Sequence, residues 1–347
     1  MELKTKTERL DAAKPADIAR AAEILRQGGN VAFPTETVYG LGANALSSEA
    51  VAKIFAAKQR PNWDPLIVHV CNREMLGRVV SGKLSPVVEA LLQEFWPGPL
   101  TLLLPRTQTV PDAVTAGRPL VGVRMPAHPV ALELIRLAGL PIAAPSANRF
   151  GHTSPTTAEH VLADLDGRID AVLDGGAASV GVESTVAQVT ADGVVVYRPG
   201  GVTLEMLETL VGEDSVTVYE APFSDAAPDS LPSPGVGIRH YAPLAELVVC
   251  QIRKPAQEAS IDFELWAKSL LKRDVILGVM LPDEWSGGGA PLIYEWGPWE
   301  DQALLAGRLY AGLRELDDRG ATVILAPMPG IAGMGLAIQD RLKKAAK

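Results

Sequence analysis

Residues 221–237, APFSDAAPDSLPSPGVG, crowd proline, serine, glycine and aspartate into a stretch with no periodic pattern. Proline removes backbone donors and glycine adds conformational freedom, so neither helix nor strand is sustained through it. It reads as an extended linker that divides the chain. Before it, short apolar runs alternate with amphipathic segments closed by glycine or proline, the pattern of an α/β fold with a twisted, mixed sheet. Helices are predicted over 15–28, 48–58, 85–95, 129–138, 156–165 and 203–211. Strands are predicted over 30–33, 66–70, 101–104, 121–125, 142–144, 171–173, 184–189 and 194–197. Behind the linker, strands over 244–250, 275–281 and 323–326 alternate with helices over 262–271, 301–319 and 335–345, which suggests a compact parallel sheet. The expected organisation is a first domain over 1–212, a linker over 213–243 and a small α/β domain over 244–347.

Composition narrows the function. Apolar residues make up 47% and charged residues 21% of the 347 positions, ordinary for a soluble globular protein. The net charge of −9 divides as −3 over residues 1–212 and −6 over the rest. An acidic chain is a poor general nucleic-acid binder, because that affinity comes mostly from phosphate neutralisation. No apolar run approaches the roughly 20 residues needed to span a bilayer. The charged N-terminus lacks an apolar leader, and Cys71 and Cys250 are too few for a disulfide framework or metal cluster. A cytoplasmic setting is expected.

Three polar clusters fall at strand mouths or helix ends: Lys58-Gln59-Arg60, Ser146-Ala147-Asn148 and Arg198-Pro199-Gly200-Gly201. Cations, hydroxyl and amide groups beside a glycine turn suit a polyphosphate. No G-x-x-x-x-G-K-[ST] loop is present, and no G-x-G-x-x-G follows a strand, so such a site would be dispersed. Each residue also has a plainer reading. Lys58 and Arg60 could be solvated cations at a helix C-terminus, and His69 a satisfied core histidine. Thr35, Glu36 and Thr37 could be turn formers, while Ser146 and Asn148 could cap a helix. Arg124 is more demanding: it sits in an apolar strand, and a buried arginine needs an anion. No acid lies near it in sequence, which favours a substrate carboxylate over a protein one. Ser184 and Arg198 repeat the strand-end placement, and Arg198 could grip a phosphate bidentately. The five histidines show no metal-ligand spacing.

Residues 33–42 (FPTETVYGLG), Lys58-Gln59-Arg60-Pro61 with Pro65-Leu66, Ala144-Pro145-Ser146-Ala147-Asn148, Glu183-Ser184-Thr185-Val186 and Arg198-Pro199-Gly200 resemble, in order and spacing, the YrdC-like domain. Ser233-Pro234-Gly235 with His240-Tyr241-Ala242-Pro243, and Gly335-Leu336-Ala337-Ile338 with Arg341-Leu342, extend the resemblance to the long form of the L-threonylcarbamoyladenylate synthases. That resemblance implies a YrdC-like twisted mixed open sheet with helices, plus a smaller Rossmann-like α/β C-terminal domain. The implied reaction joins L-threonine, bicarbonate or CO2 and ATP into threonylcarbamoyl-AMP with release of pyrophosphate. A separate downstream threonylcarbamoyl transferase complex would carry the group to the adenosine beside the anticodon of tRNA. By the same resemblance Lys58 and Arg60 are catalytic. Lys58, Arg60, Asp64, Ser146, Asn148, Ser154, Arg198 and Tyr241 hold ATP, and Thr35, Thr37, His69, Arg124, Ala144 and Ser184 hold threonine. Tyr241 would fold from the linker over the nucleotide as a lid. Mg2+ would accompany ATP without an evident protein ligand; neither membrane association nor direct tRNA binding is expected. Asp64 departs from the asparagine frequent in the family, and Gln188 replaces a frequent acidic residue. A carbamoyl-phosphate-using carbamoyltransferase is the alternative enzyme, but the chain lacks the accompanying acylphosphatase-like and transferase modules. An RNA-binding module conflicts with the acidic charge and the 5% aromatic content.

Overall fold

In the computed structural model, residues 6–220, 233, 240–251 and 256–346 are described. Two units divide the chain. The first takes Met1–Phe150, Pro155–Ser179 and Glu183–Gly237; the second takes Gly151–Ser154, Val180–Val182 and Ile238–Lys347. Two short excursions therefore belong with the second unit, an arrangement invisible to a boundary drawn along the sequence.

The first unit is built on an eleven-stranded sheet. Its strands are β1 (Glu8–Asp11), β2 (Val31–Phe33), β3 (Gly40–Asn44), β4 (Ile67–His69), β5 (Leu100–Pro105), β6 (Leu120–Arg124), β7 (Ile142–Ala143), β8 (Ala171–Asp174), β9 (Thr185–Thr190), β10 (Gly193–Arg198) and β11 (Val216–Val218). Their spatial order is β1-β8-β2-β3-β7-β4-β6-β5-β9-β10-β11, with parallel and antiparallel pairs mixed. The central strands are buried on both sides, as in β2, where Val31, Ala32 and Phe33 are all fully covered. Such strands read as continuous apolar runs rather than alternations.

Helix Pro15–Arg26 shows why the covering elements form where they do. Proline opens it, Asp17 sits in its first turn, and Ile18, Ala21, Ala22 and Leu25 recur at helical spacing on its buried face. Burying each large aliphatic there contributes about 2 kcal/mol. Helix Ser48–Lys58 is capped by the Ser47 hydroxyl, which accepts from the Ala50 N–H at 3.2 Å. It ends because Gln59 turns left-handed at φ 55°, re-aiming the chain at Arg60.

The second unit carries four parallel strands, β12 (Glu246–Gln251), β13 (Leu277–Pro282), β14 (Leu292–Gly297) and β15 (Val323–Met328), in the order β12-β15-β13-β14. Helices Ala256–Leu270, Gln302–Asp318 and Gly335–Ala345 complete it. Its core gathers Phe263, Leu270, Leu277, Val279, Val323 and Leu325. The compact parallel sheet is as expected.

Several elements lie outside the sequence reading. β1 and β11 are edge strands, short and rich in charged or half-exposed positions, so no apolar run announces them. β11 also extends the sheet into the stretch expected to be linker, while residues 221–232 and 234–239 of that linker lie outside the described residues. β14 is an edge strand whose first four residues are half-buried or exposed.

Gly200 shows where the backbone admits no side chain. A Cβ there would lie 2.2 Å from the Glu183 carbonyl oxygen and 2.5 Å from the Thr185 nitrogen. In helix Arg73–Val79, by contrast, a Cβ at Gly77 meets nothing within 4 Å. Gly200→Ala should cost about 2–3 kcal/mol through backbone displacement, while Gly77→Ala should stabilise by about 0.5–1 kcal/mol through helix propensity. Thermal unfolding of the two variants checks the contrast; equal melting temperatures would contradict it.

Candidate functional site

Arg124 ends β6 and is 3% exposed. It lies in register with His69 at the end of β4. Its Nε donates to the Gly98 carbonyl at 3.1 Å and its Nη1 to the Thr37 hydroxyl at 2.8 Å. Its Nη2 lies 2.6 Å from Glu36 Oε1. A protein carboxylate therefore does stand beside Arg124, correcting the expectation of a substrate anion alone: Glu36 is 88 residues away in sequence, and the fold brings it in. Burial pushes the Glu36 carboxyl up, but the Arg124 guanidinium and the Ala127 backbone more than offset this, holding it below its ordinary value. A guanidinium has five N–H groups. Nε and Nη1 donate one each here, while Nη2, although 2.6 Å from Glu36 Oε1, makes no hydrogen bond among the described residues, so its two N–H groups remain for an incoming anion.

The surrounding groups are hydroxyls and a neutral imidazole. Thr35 and Thr37 hydroxyls lie 2.8 Å apart, and Thr35 also donates to the Val38 carbonyl at 2.6 Å. These bonds fix the turn and aim Thr37 at Arg124. His69 is buried against Phe33, their rings edge to face at 6.2 Å. Burial, seconded by the Arg124 charge, pushes its imidazole down to about 3. It is thus a neutral wall at physiological pH, with a buried Nδ1 that has no partner among the described residues.

Lys58 and Arg60 are not solvated cations. Lys58 is 1% exposed, and its ammonium donates to the Ser146 carbonyl at 2.6 Å, to the Asn148 carbonyl and to Asn148 Oδ1 at 3.4 Å. Burial, with the Arg60 charge adding to it, holds its pKa well below the ordinary lysine value. The Ser146 hydroxyl donates to the Asn148 side chain. The first two polar clusters are therefore one. Arg60 pairs with Asp64 at 2.8 Å, both buried, and its Nη2 donates to the Pro65 carbonyl at 2.9 Å. The Asp64 carboxylate, unexpected beside a triphosphate, is thus the counter-ion of Arg60.

The third cluster begins with Arg198, the last residue of β10, whose side chain meets Ser184 just before β9. Ser184 and Thr101 hydroxyls are 2.8 Å apart, and Arg198 Nη2 donates to the Ser184 hydroxyl at 3.1 Å. Backbone bonds tie the second cluster to the segment entering β3, and the start of β9 to the segment before β5. Ala147 N–H donates to the Tyr39 carbonyl, Leu41 N–H to the Pro145 carbonyl and Thr185 N–H to the Pro99 carbonyl, each at 2.8–2.9 Å. Ala144 joins them through its N–H on the Ile67 carbonyl at 2.9 Å.

Two expected residues lie in the second unit. Ser154 is fully buried there. Tyr241 is also buried, at a left-handed φ of 65° that aromatic residues rarely adopt. The Arg341 guanidinium lies 5.0 Å from its ring centre, and the Tyr310 ring 5.9 Å. Thr115 was passed over in sequence because it lies in a one-turn helix with no motif. Its hydroxyl is buried without a partner among the described residues, one residue beyond the Val114 carbonyl that accepts from Leu66 N–H at 2.8 Å.

Two family models cover the chain: one described as Telomere recombination matches residues 23–200, and one described as Threonylcarbamoyl-AMP synthase, C-terminal domain, matches residues 202–347. The Threonylcarbamoyl-AMP synthase of Pyrococcus abyssi is 42% identical over 94% of this chain and 92% of its own length. That of Bacillus subtilis is 43% identical over 95% and 92%. The crystal structure of P. abyssi Sua5 complexed with L-threonine superposes with a TM-score of 0.89, at 40% identity, covering 98% of this chain and 97% of that one. With both halves matched and such identity sustained over nearly the whole length, the chain belongs to the threonylcarbamoyl-AMP synthase family.

Proposed function

We propose that the chain makes L-threonylcarbamoyl-AMP from L-threonine, bicarbonate or CO2 and ATP, and that the Arg124 pocket and the three polar clusters are where it does so. The observation that carries this reading is a buried guanidinium with two uncommitted N–H groups, walled by hydroxyls and joined by backbone bonds to a second nest of buried cations. An amino-acid carboxylate suits the first and phosphates suit the second.

In this reading Arg124 clamps the threonine carboxylate. Thr35, Thr37 and Ser184 face its polar groups, Ala144 contributes backbone, and neutral His69 lines the pocket. The threonine amine takes up CO2 and loses a proton, giving a carbamate. A carbamate oxygen then attacks the ATP α-phosphorus as the bond to the β-phosphate oxygen breaks and pyrophosphate leaves. Charge spreads over phosphate oxygens, so positioning and preorganised cations supply most of the acceleration. Lys58, Arg60 and Arg198 are those cations; Ser146, Asn148, Ser154 and the Asp64 segment hold the rest of ATP. Thr115 joins them in this reading, its buried hydroxyl having no partner among the described residues. Among the described residues no group of three His, Cys, Asp or Glu side chains is placed to hold a metal. Mg2+ would enter on the triphosphate, neutralising its charge. Tyr241, at the end of the linker, would serve as a lid excluding water from the labile anhydride. A separate transferase complex would then carry the product to tRNA.

Pyrophosphate release from ATP tests the reading: it should require both L-threonine and bicarbonate, and release independent of either would sink it. Arg124→Lys keeps a charge for Glu36 but loses the planar fork, so it should raise the threonine KM by about 10–100-fold with a smaller change in kcat. An unchanged KM would remove Arg124 from the threonine site. Lys58 gives a pH signature. Its depressed pKa means that phosphate, by favouring the ammonium, draws a proton in, so ATP binding at alkaline pH should be accompanied by net proton uptake. Calorimetry in buffers of different ionisation heat reads this uptake. Lys58→Met should abolish it, and zero uptake by the parent chain would contradict the assignment.

A further inference from the structure

The second unit has a cavity of about 500 Å³ that the reaction above does not use, lined by Ser260, Asp283, Glu284, Trp285, Pro298, Trp299 and Glu300. Its size falls within the range of small-molecule sites. Its walls are the segments that leave the carboxyl ends of β13 and β14, tied together by the Asp283 N–H on the Gly297 carbonyl at 2.9 Å. The chain steps outward from β13 to β14 and returns across the sheet to β15, so the cavity lies near where its path reverses. Open α/β sheets bind ligands at the carboxyl ends of strands close to such a reversal.

Its chemistry is specific. Trp285 and Trp299 stand 4.8 Å apart and tilted by 44°, both half-buried, with Phe263 and Trp296 packed edge-on behind them at 5.7 and 6.5 Å. The Trp296 N–H is committed to the Leu305 carbonyl at 2.8 Å, which fixes the base of this aromatic wall. Around it stand three carboxylates, Asp283, Glu284 and Glu300, and among the described residues no lysine or arginine lines the cavity. Among the described residues none of the three has a side-chain hydrogen bond or ion pair. Phosphate-bearing and other anionic ligands are repelled by this rim, and a neutral apolar ligand leaves it unanswered. An aromatic face with unpaired carboxylates at its edge favours a cation that can stack and donate at once. Guanidinium does both: it is planar, weakly hydrated and forked, whereas an ammonium holds its water more tightly.

We propose that this cavity binds a guanidinium group, presented either by a free small molecule or by an arginine side chain of a partner protein. Titration of the full chain with L-argininamide, followed by tryptophan fluorescence and calorimetry, should give a saturable Kd on the order of 1 mM or below. L-citrullinamide has nearly the same shape without the charge and should not saturate. The triple variant Asp283→Asn, Glu284→Gln, Glu300→Gln changes only exposed side chains; it should keep its melting temperature and its threonine-dependent pyrophosphate release while binding argininamide at least about 10-fold more weakly. A second titration, with acetyl-Gly-Arg-Gly-amide, separates the sources: tighter binding than argininamide marks a protein partner, and equal or weaker binding a free ligand. Equal binding of citrullinamide, undiminished binding by the triple variant, or no saturation by about 20 mM of either arginine probe would overturn the proposal.

Discussion

The polar architecture of the first unit hangs on one buried charge. A guanidinium stripped of water must be answered by acceptors and an anion, and the alternative costs several kcal/mol. Arg124 finds the Gly98 carbonyl, the Thr37 hydroxyl and the Glu36 carboxylate, from two segments distant in sequence. Satisfying it fixes the turn between β2 and β3 against the end of β6. That turn in turn carries Tyr39, whose carbonyl holds Ala147 and so the loop that receives Lys58. Removing one partner of such a buried pair typically costs about 3–5 kcal/mol. The pocket and the fold around it are therefore the same interaction seen twice.

The same economy governs the second nest. Lys58 and Arg60 reach different partners from the end of one helix, with a left-handed Gln59 between them. Each is then neutralised by local protein groups, carbonyls for Lys58 and Asp64 for Arg60. Cations held in place by short protein contacts do not need to reorganise when phosphate charge develops, which is the condition under which electrostatic stabilisation is most effective.

Much of this was legible in the chain. Most buried central strands announced themselves as apolar runs, although the glycine-rich β3 did not, and helix ends were marked by Ser, Pro and Gly. The polar clusters stood out at strand mouths and helix ends. What stayed hidden was pairing at a distance. Nothing in the neighbourhood of Arg124 points to Glu36, and Asp64 reads as a misfit until Arg60 is seen against it. The two excursions at 151–154 and 180–182 that belong with the second unit leave no mark in composition. Edge strands β1 and β11 escaped for another reason: β1 is short and mostly charged, and β11 is only three residues long. Thr115 lacks any motif and emerges only as a buried hydroxyl without a partner among the described residues.

The central claim is that Arg124 keeps two N–H groups for a carboxylate while Glu36 holds it in place. Calorimetric binding of L-threonine against L-threoninamide, which retains the side chain and amine but lacks the carboxylate, tests it most directly. The amide should bind at least about 100-fold more weakly, the cost of leaving a buried, charged donor pair unanswered. Comparable affinities for the two would show that the carboxylate is not read by Arg124, and the assignment of this pocket would fall.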